Sequence, residues 1–202
     1  SFGTKVILKG VSISVDTGRV LYIVGASGAG KSVLVKHLIG LLKPDSGTIL
    51  LDGEDITHLS EKGFYRVREK CAMVFQHSTL FDSMSLVDNV ALPLRKHFGL
   101  SKEEARAQAM EKLKLVHMDK QAERFPGDIG DGLRKRVAIA RALTMKPRYV
   151  IFDEPTTGLD PLAASQVDGL IRSLRSEAGV TSIVVSHDLR SIFSVADRIA
   201  MI

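Results

Sequence analysis

The fold of this chain is decided by the stretch Gly25-Ala26-Ser27-Gly28-Ala29-Gly30-Lys31-Ser32. It fits the pattern G-x-x-x-x-G-K-[ST], in which glycines let consecutive backbone N–H groups turn inward around phosphate oxygens. In this pattern the lysine reaches the β- and γ-phosphates, and the final hydroxyl is placed for Mg²⁺. An apolar run at 20–24 precedes the stretch, and a helical pattern at 33–39 follows it. Because an ordinary glycine-rich turn needs no such flanks, the sequence predicts a phosphate-binding loop between a strand and a helix.

A second motif lies much later in the chain, where an apolar strand pattern ends in two acidic residues. It reads Tyr149-Val150-Ile151-Phe152-Asp153-Glu154. A carboxylate at the end of such a strand, here Asp153, can hold Mg²⁺ against the phosphate loop. The next residue, Glu154, is placed to polarise an attacking water. Taken alone, the acidic pair could equally cap a helix. Coupled to the phosphate loop, it predicts a nucleoside triphosphatase.

The composition permits this function and points to no particular partner. The 202 residues are 45% hydrophobic and 25% charged, and 28 basic against 23 acidic residues give a net charge of +5. A mildly basic surface is usually solvated helix faces, although nucleic acid or an anionic membrane would also accept it. The single cysteine, Cys71, lies in an apolar stretch, which indicates a reducing compartment. No apolar run approaches the ~20 residues that span a bilayer and no signal peptide opens the chain, so we expect a soluble domain trimmed at both ends.

Short β-rich runs alternate with helical patterns along most of the chain. Strands are expected near 20–24, 48–51, 71–75, 149–153 and 182–186. This alternation predicts an α/β fold, a P-loop NTPase with a mostly parallel sheet at its core.

Strand signals vanish between about 77 and 146, where helical patterns take over. Ser101-Lys102-Glu103-Glu104 forms a capping box ahead of one helix, and a second helix is expected over 133–143. We therefore expect a single domain over 1–202. It would consist of a core at 1–76 and 147–202 and a helical subdomain at about 77–146.

The order of the motifs resembles the nucleotide-binding domain of ABC (ATP-binding cassette) transporters over essentially the whole chain. Gln76, just after the strand at 71–75, matches the family's Q-loop glutamine, and Thr157-Gly158-Leu159-Asp160 matches its D-loop. Ser186-His187-Asp188 matches the switch histidine segment. His187 alone would be read as a surface or N-cap histidine, but it lies after a buried strand and downstream of every other motif. Phe2 falls where the family stacks an aromatic ring on adenine, although it could simply pack on the sheet.

This resemblance implies the ABC ATPase architecture, ATP and Mg²⁺ as cofactors, and a role for each matching residue. The catalytic residues would be Glu154, His187, Gln76 and Lys31, and the metal would be held by Ser32, Gln76 and Asp153. Besides the phosphate loop, the implied nucleotide contacts are Phe2, Ser186, Gly130, Gly132 and Asp160. In this family a second ATPase subunit completes the site with its signature helix, so a lone chain is expected to hydrolyse ATP poorly. A homodimer is expected, and a heterodimer stays open.

The signature motif is where the chain departs from this family. The usual L-S-G-G-[QM] is replaced by Ile129-Gly130-Asp131-Gly132-Leu133. Gly130 lacks the serine hydroxyl that would bond the γ-phosphate, and Asp131 adds an anion that is unfavourable near a triphosphate unless a cation neutralises it. The helix that follows still offers N–H groups at its N-terminus. Three outcomes are open: Asp131 points away and activity survives, the site is slow, or the chain pairs with a subunit whose signature is intact.

The segment 80–95 and the run Arg134-Lys135-Arg136 are similar to the Mla (maintenance of lipid asymmetry) and Mce-type lipid-transport ATPases. Leu80, Phe81 and Met84 form an apolar knob beside the Q-loop, where the coupling helix of a membrane permease would dock; alternatively the knob packs the helical insert. The similarity implies a peripheral ATPase on the cytoplasmic face of the inner membrane. It would power phospholipid or lipid transport with a permease and lipid-binding carrier subunits.

Two other functions are compatible with the same motifs. The chain could serve an importer for an amino acid, a metal or a peptide, since such cassettes differ chiefly in their permease. A DNA-associated ABC-type ATPase is disfavoured because Lys31 and Asp153 are not separated by a very long insertion, and no aromatic-rich basic platform appears. We therefore expect no nucleic acid partner.

Overall fold

The computed structural model of the chain describes residues 6–202. Within this part of the chain there are seven strands: β1 (Val20–Val24), β2 (Leu50–Leu51), β3 (Glu54–Asp55), β4 (Cys71–Val74), β5 (Tyr149–Asp153), β6 (Thr181–Val185) and β7 (Arg198–Met201). The helices are α1 (Lys31–Leu38), α2 (Glu61–Lys70), α3 (Leu86–Phe98), α4 (Lys102–Leu115), α5 (Asp131–Leu143), α6 (Pro161–Ala178) and α7 (Leu189–Val195). Two short 3₁₀ turns, Asp119–Gln121 and Pro126–Asp128, lie between α4 and α5.

Five strands form one parallel sheet in the order β4-β5-β6-β1-β7. The inner strands β1, β5 and β6 are apolar runs rather than alternating ones because both faces are covered by helices. Alternate residues of β1 show this: Tyr22 belongs to the apolar cluster that includes α3, α4 and α5, whereas Ile23 belongs to the cluster that includes α1 and α2. The α/β fold with a mostly parallel sheet is confirmed.

The carboxyl ends of the central strands meet at one edge of the sheet. In the parallel register Ile23 lies opposite Val185, and Val185 lies opposite Asp153. The loops that leave β1, β5 and β6 therefore start at the same height. Open α/β sheets bind their ligands at this edge.

The hairpin of β2 and β3 was missed in the sequence, where only a strand at 48–51 was expected. The observed β2 covers Leu50–Leu51 and pairs antiparallel with Glu54–Asp55. Asp52 and Gly53 form the turn with φ of 53° and 81°. Two positive φ angles at Asp-Gly are typical of a type I′ hairpin turn, so this dipeptide was the available signal.

The stretch between β4 and β5 contains only helices and turns. α4 begins at the capping box, in which Ser101 and Glu104 satisfy each other's backbone N–H, as predicted. The helix expected over 133–143 begins two residues earlier, at Asp131, because Gly130 already adopts the extended conformation of an N-cap. Among residues 6–202, no helix is both long enough and apolar enough to cross a bilayer.

Candidate active site

The phosphate loop joins the end of β1 to the start of α1. Gly30 is the N-cap of α1 with φ of 98°, a left-handed conformation that side chains rarely adopt. A Cβ at this position would also lie 2.7 Å from Ile7 Cγ2. Glycine is therefore required at Gly30 for two independent reasons, and the first N–H groups of α1 are left facing the loop.

Lys31 folds back over its own loop. Its ammonium donates hydrogen bonds to the carbonyl oxygens of Gly25 at 2.9 Å and Ala26 at 3.1 Å. The side chain is buried. Since an ammonium has three N–H donors, these two bonds hold it in place while a phosphate oxygen can accept from the remaining one.

Ser32 and Asp153 meet, although 121 positions separate them in the chain. The Ser32 hydroxyl donates to Asp153 Oδ1 at 2.8 Å. Asp153 is the last residue of β5 and is buried, with 6% of its surface exposed. A hydroxyl and a carboxylate side by side supply the hard oxygen ligands that Mg²⁺ prefers, so these residues fit the expected metal.

Glu154 is held in an unusual backbone conformation directly after β5. Its φ is 50°, in the left-handed region, and its N–H donates to Val185 O at 2.9 Å. The carboxylate Oε2 accepts from Thr157 Oγ1 at 2.9 Å and lies 2.9 Å from His187 Nδ1. Strain of this kind, of order 1–3 kcal/mol, is concentrated at functional sites. The turn brings Glu154 and His187 together at the sheet edge.

Gln76 lies two residues beyond β4, the neighbour of β5 in the sheet. Its side chain is exposed, and its backbone carbonyl accepts from Lys135 Nζ at 2.5 Å. Phe75 O accepts from the same ammonium at 3.0 Å. Burial lowers the pKa of Lys135 to about 8, against the opposing effects of Asp153 and Asp131.

The altered signature forms the N-terminus of α5. Gly130 is exposed, and nothing lies within 4 Å of a Cβ built on it. Asp131 Oδ1 lies 3.3 Å from Arg134 Nη1, and Arg134 also donates through Nε to Pro126 O at 2.8 Å. A cation thus accompanies the extra carboxylate.

Three other expected nucleotide contacts have different surroundings. Asp160 caps α6, accepting from the N–H groups of Leu162 at 2.9 Å and Ala163 at 3.0 Å. Ser186 is buried, and its hydroxyl accepts from Asp188 N at 3.1 Å. Phe2 lies outside the described residues. The cap at Asp160 could have been found in the sequence, because Asp followed by Pro is a common helix start.

Lys135 and Arg141 also belong to this region, although neither was predicted to. Arg141 donates to Thr79 O at 2.9 Å and to Ser78 O at 3.2 Å. Both cations belong to α5 and contact the segment after β4, some sixty positions earlier. A basic residue on an amphipathic helix is usually solvated, so nothing in the local pattern distinguished these two.

Comparison with known proteins agrees with this geometry. The family model described as ABC transporter matches residues 8–157. The dimeric ATP-binding cassette MJ0796 bound to ADP and Pi has a TM-score of 0.89 at 32% identity, covering 100% of this chain and 89% of that one. The structure of cbiO1 from Clostridium perfringens, part of the transporter complex cbiONQ, has a TM-score of 0.88 at 34% identity, covering 96% and 77%. The chain therefore belongs to the ABC transporter ATP-binding family.

Curated relatives differ in what their names say they transport. A probable ribonucleotide transport ATP-binding protein, mkl of Mycobacterium leprae, is 41% identical over 100% of this chain and 58% of its own length. The methionine import protein MetN of Rhizobium johnstonii is 40% identical, over 100% and 55%. The intermembrane phospholipid transport protein MlaF of Haemophilus influenzae is 40% identical, over 96% and 74%. The chain spans little more than half of the first two, and identities this close do not separate the substrates.

Proposed function

We propose that this chain is the ATP-binding and ATP-hydrolysing part of an ABC transporter. The observation that carries the proposal is the convergence of two pairs at one sheet edge. Ser32 bonds Asp153 at 2.8 Å beside the phosphate loop, and Glu154 lies 2.9 Å from His187 on the adjoining turn. Phosphoryl transfer needs little more than such positioning and charge stabilisation.

The roles follow from these contacts. The loop N–H groups and Lys31 would bind the β- and γ-phosphates of ATP. Ser32, Asp153 and Gln76 would hold Mg²⁺, which supplies charge neutralisation when bound. Glu154 would accept the proton of the attacking water, with Thr157 and His187 fixing its Oε2. Because the His187 side chain is 64% exposed, it can also reach the γ-phosphate from the open side.

The active form is proposed to be a dimer, as in the dimeric MJ0796 cassette. In this arrangement the N-terminus of α5, with Gly130 and Gly132, would meet the partner's nucleotide. The proposed helical subdomain at about 77–146 would carry this signature end. The Asp131 to Arg134 contact of 3.3 Å supports a working signature, because the added anion is partly neutralised.

The permease is proposed to dock beside the apolar knob, whose three members have different environments. Leu80 packs against the core, Met84 is half-buried and Phe81 is 50% exposed. Buried Asn89 fixes the loop, since its amide exchanges hydrogen bonds of 2.7 and 3.0 Å with the Phe81 backbone. An open groove of about 780 Å³ adjoins Met84 and includes the exposed Phe125. A rigid loop with one protruding aromatic ring suits a docking site.

Lipid is the proposed cargo, moved across or from the inner membrane with a permease and lipid-binding carriers. The MlaF relative supports it, and the 80–95 resemblance adds to that support. Import of methionine or of another small molecule is the second candidate, supported by the MetN relatives. With either cargo, the chain would lie peripherally on the cytoplasmic face of the membrane.

ATP turnover and ATP-driven dimerisation test the proposed activity, comparing wild type with Glu154→Gln. We expect wild type to hydrolyse ATP and the variant to accumulate as an ATP-bound dimer, measured by phosphate release and light scattering. Glu177→Gln, an exposed change of the same chemistry on α6, is the matched control and should behave as wild type. Absence of turnover and of the trapped dimer, with the permease present, would refute the proposed activity.

The cargo is tested separately in proteoliposomes that contain the assembled complex. ATP-dependent movement of a labelled phospholipid, lost in Glu154→Gln, supports the lipid proposal. ATP-dependent uptake of methionine without lipid movement would overturn it and leave the ATPase assignment standing.

A further inference from the structure

Helix α5 holds the segment after β4 at two points. Near its start, Lys135 donates to Phe75 O at 3.0 Å and to Gln76 O at 2.5 Å. Six residues later, Arg141 donates to Ser78 O at 3.2 Å and to Thr79 O at 2.9 Å. The helix that begins at the signature is thus bonded directly to the backbone of the segment that carries Gln76.

Lys135 is an unusual residue to find in this place. It is 3% exposed, and burying an ammonium is unfavourable unless its donors are satisfied. An apolar side chain of similar volume would pack there without removing a charge from water. An apolar side chain could not donate to Phe75 O and Gln76 O. These two hydrogen bonds are therefore what Lys135 contributes and an apolar residue would lack.

These bonds hold the backbone carbonyl groups of Phe75 and Gln76, and so they fix the point from which the Gln76 side chain extends. The Gln76 side chain is exposed and so is not held by packing. Its position relative to Asp153 therefore depends on the backbone to which it is attached. Asp131, the first residue of α5, lies about one helical turn before Lys135.

We propose that Lys135 is a positioning residue that fixes Gln76 beside the nucleotide and makes it move with the signature end of α5. The inference rests on the proposed ATPase function. Its consequence is mechanical: a displacement of α5 caused by the partner's nucleotide would be transmitted by Lys135 to Gln76 of the chain's own site. Arg141 provides the comparison, because it anchors the same segment at Ser78 and Thr79, beyond Gln76.

The test uses the ATPase in its complex with Lys135→Met, Lys135→Arg and Arg141→Met. We expect Lys135→Met to lower kcat by about tenfold to a hundredfold, the range in which misplacing a catalytic group by ~1 Å falls, with KM for ATP within about twofold. Lys135→Arg should recover part of kcat because it still donates to carbonyl oxygens. Arg141→Met should lower kcat less than Lys135→Met does.

A second measurement separates positioning from general damage to the fold. NMR order parameters of the Gln76 and His77 backbone should fall below about 0.6 in Lys135→Met, with those of β5 unchanged. In a Gln76→Ala background, Lys135→Met should lower kcat little further. Unchanged kcat and unchanged order parameters in Lys135→Met, or an equal loss of kcat in the Gln76→Ala background, would overturn the proposal.

Two other outcomes have different meanings, namely a wild type without ATPase activity and a Lys135→Met variant that does not fold. If wild type hydrolyses no ATP, the proposed function fails, and the order parameters at Gln76 still decide the anchoring by Lys135. If Lys135→Met does not fold, Lys135→Leu, which likewise has no N–H donor, takes its place with the same expected order of kcat and of the Gln76 order parameters.

Discussion

Replacing Gly132 by alanine should drive the signature end of α5 away from α6. A Cβ on Gly132 would lie 2.8 Å from the Cβ of Ala163, whereas ordinary contact begins at 3.4 Å. The two helices must therefore separate locally by at least about 0.6 Å, or the first turn of α5 must rotate. Neither methyl group can rotate aside, because both are attached directly to helical backbone.

The energetic cost of the clash can be separated from the difference in helix propensity between glycine and alanine. Overpacking by one methyl group costs about 1–3 kcal/mol, while alanine gains up to about 1 kcal/mol over glycine inside a helix. Gly132→Ala alone should thus lower the free energy of unfolding by about 0–3 kcal/mol. In a double-mutant cycle with Ala163→Gly the propensity contributions cancel, and the clash should appear as a coupling of about 1–3 kcal/mol.

Urea unfolding followed by circular dichroism measures all four corners of this cycle. Gly130→Ala is the matched control, because a Cβ at Gly130 meets nothing within 4 Å and should not couple to Ala163→Gly. ATP-driven dimerisation should weaken in Gly132→Ala and recover in the double variant. Additive effects within about 0.5 kcal/mol would refute the claim that Gly132 is required by the packing of α5 on α6.

Two further predictions concern His187 of the site and Asp168, which accepts a hydrogen bond from Ser191 between α6 and α7. His187→Ala should lower kcat by about a hundredfold with KM for ATP little changed, because Glu154 Oε2 loses its partner at 2.9 Å; steady-state kinetics showing an unchanged kcat would contradict this. Burial raises the pKa of Asp168 above its usual 3.8, so the unfolded state loses this proton first and stability falls as pH rises from about 4 toward the folded pKa. Asp168→Asn should remove that decline. An equal change in the free energy of unfolding between pH 4 and pH 7 in wild type and in Asp168→Asn would contradict this prediction.

Much of this site could be predicted from the sequence because its residues belong to short, local patterns. The phosphate loop needs its glycines at fixed offsets, and Asp153 follows an apolar run that only a buried strand explains. The sheet edge then follows from parallel pairing, which places Asp153 opposite Val185 and close to His187. The two motifs each use information contained within about ten residues, whereas the pairing of β5 with β6 joins segments about thirty residues apart.

What could not be predicted depends on contacts between distant segments. The bonds of Lys135 to Phe75 and Gln76 span about sixty residues, and the same helical pattern would fit a solvated lysine. The positive φ of Glu154 is imposed by its bond to Val185 O, which exists only when β5 and β6 are paired. Local propensity favours neither feature, so only the tertiary structure reveals them.

Two of the departures in the signature, Gly130 and Asp131, are unequal in their consequences. The carboxylate of Asp131 has Arg134 at 3.3 Å, so its charge is already partly balanced. Gly130 has no side chain and cannot replace a hydroxyl that would donate to a phosphate, a charged hydrogen bond of about 1.5–3 kcal/mol, or roughly tenfold to a hundredfold in affinity. The altered signature should therefore weaken the ATP-bound dimer without abolishing it. Gly130→Ser should tighten that dimer more than Asp131→Gly does, and the reverse order in a dimerisation assay would show that the charge of Asp131, rather than the missing hydroxyl, limits this site.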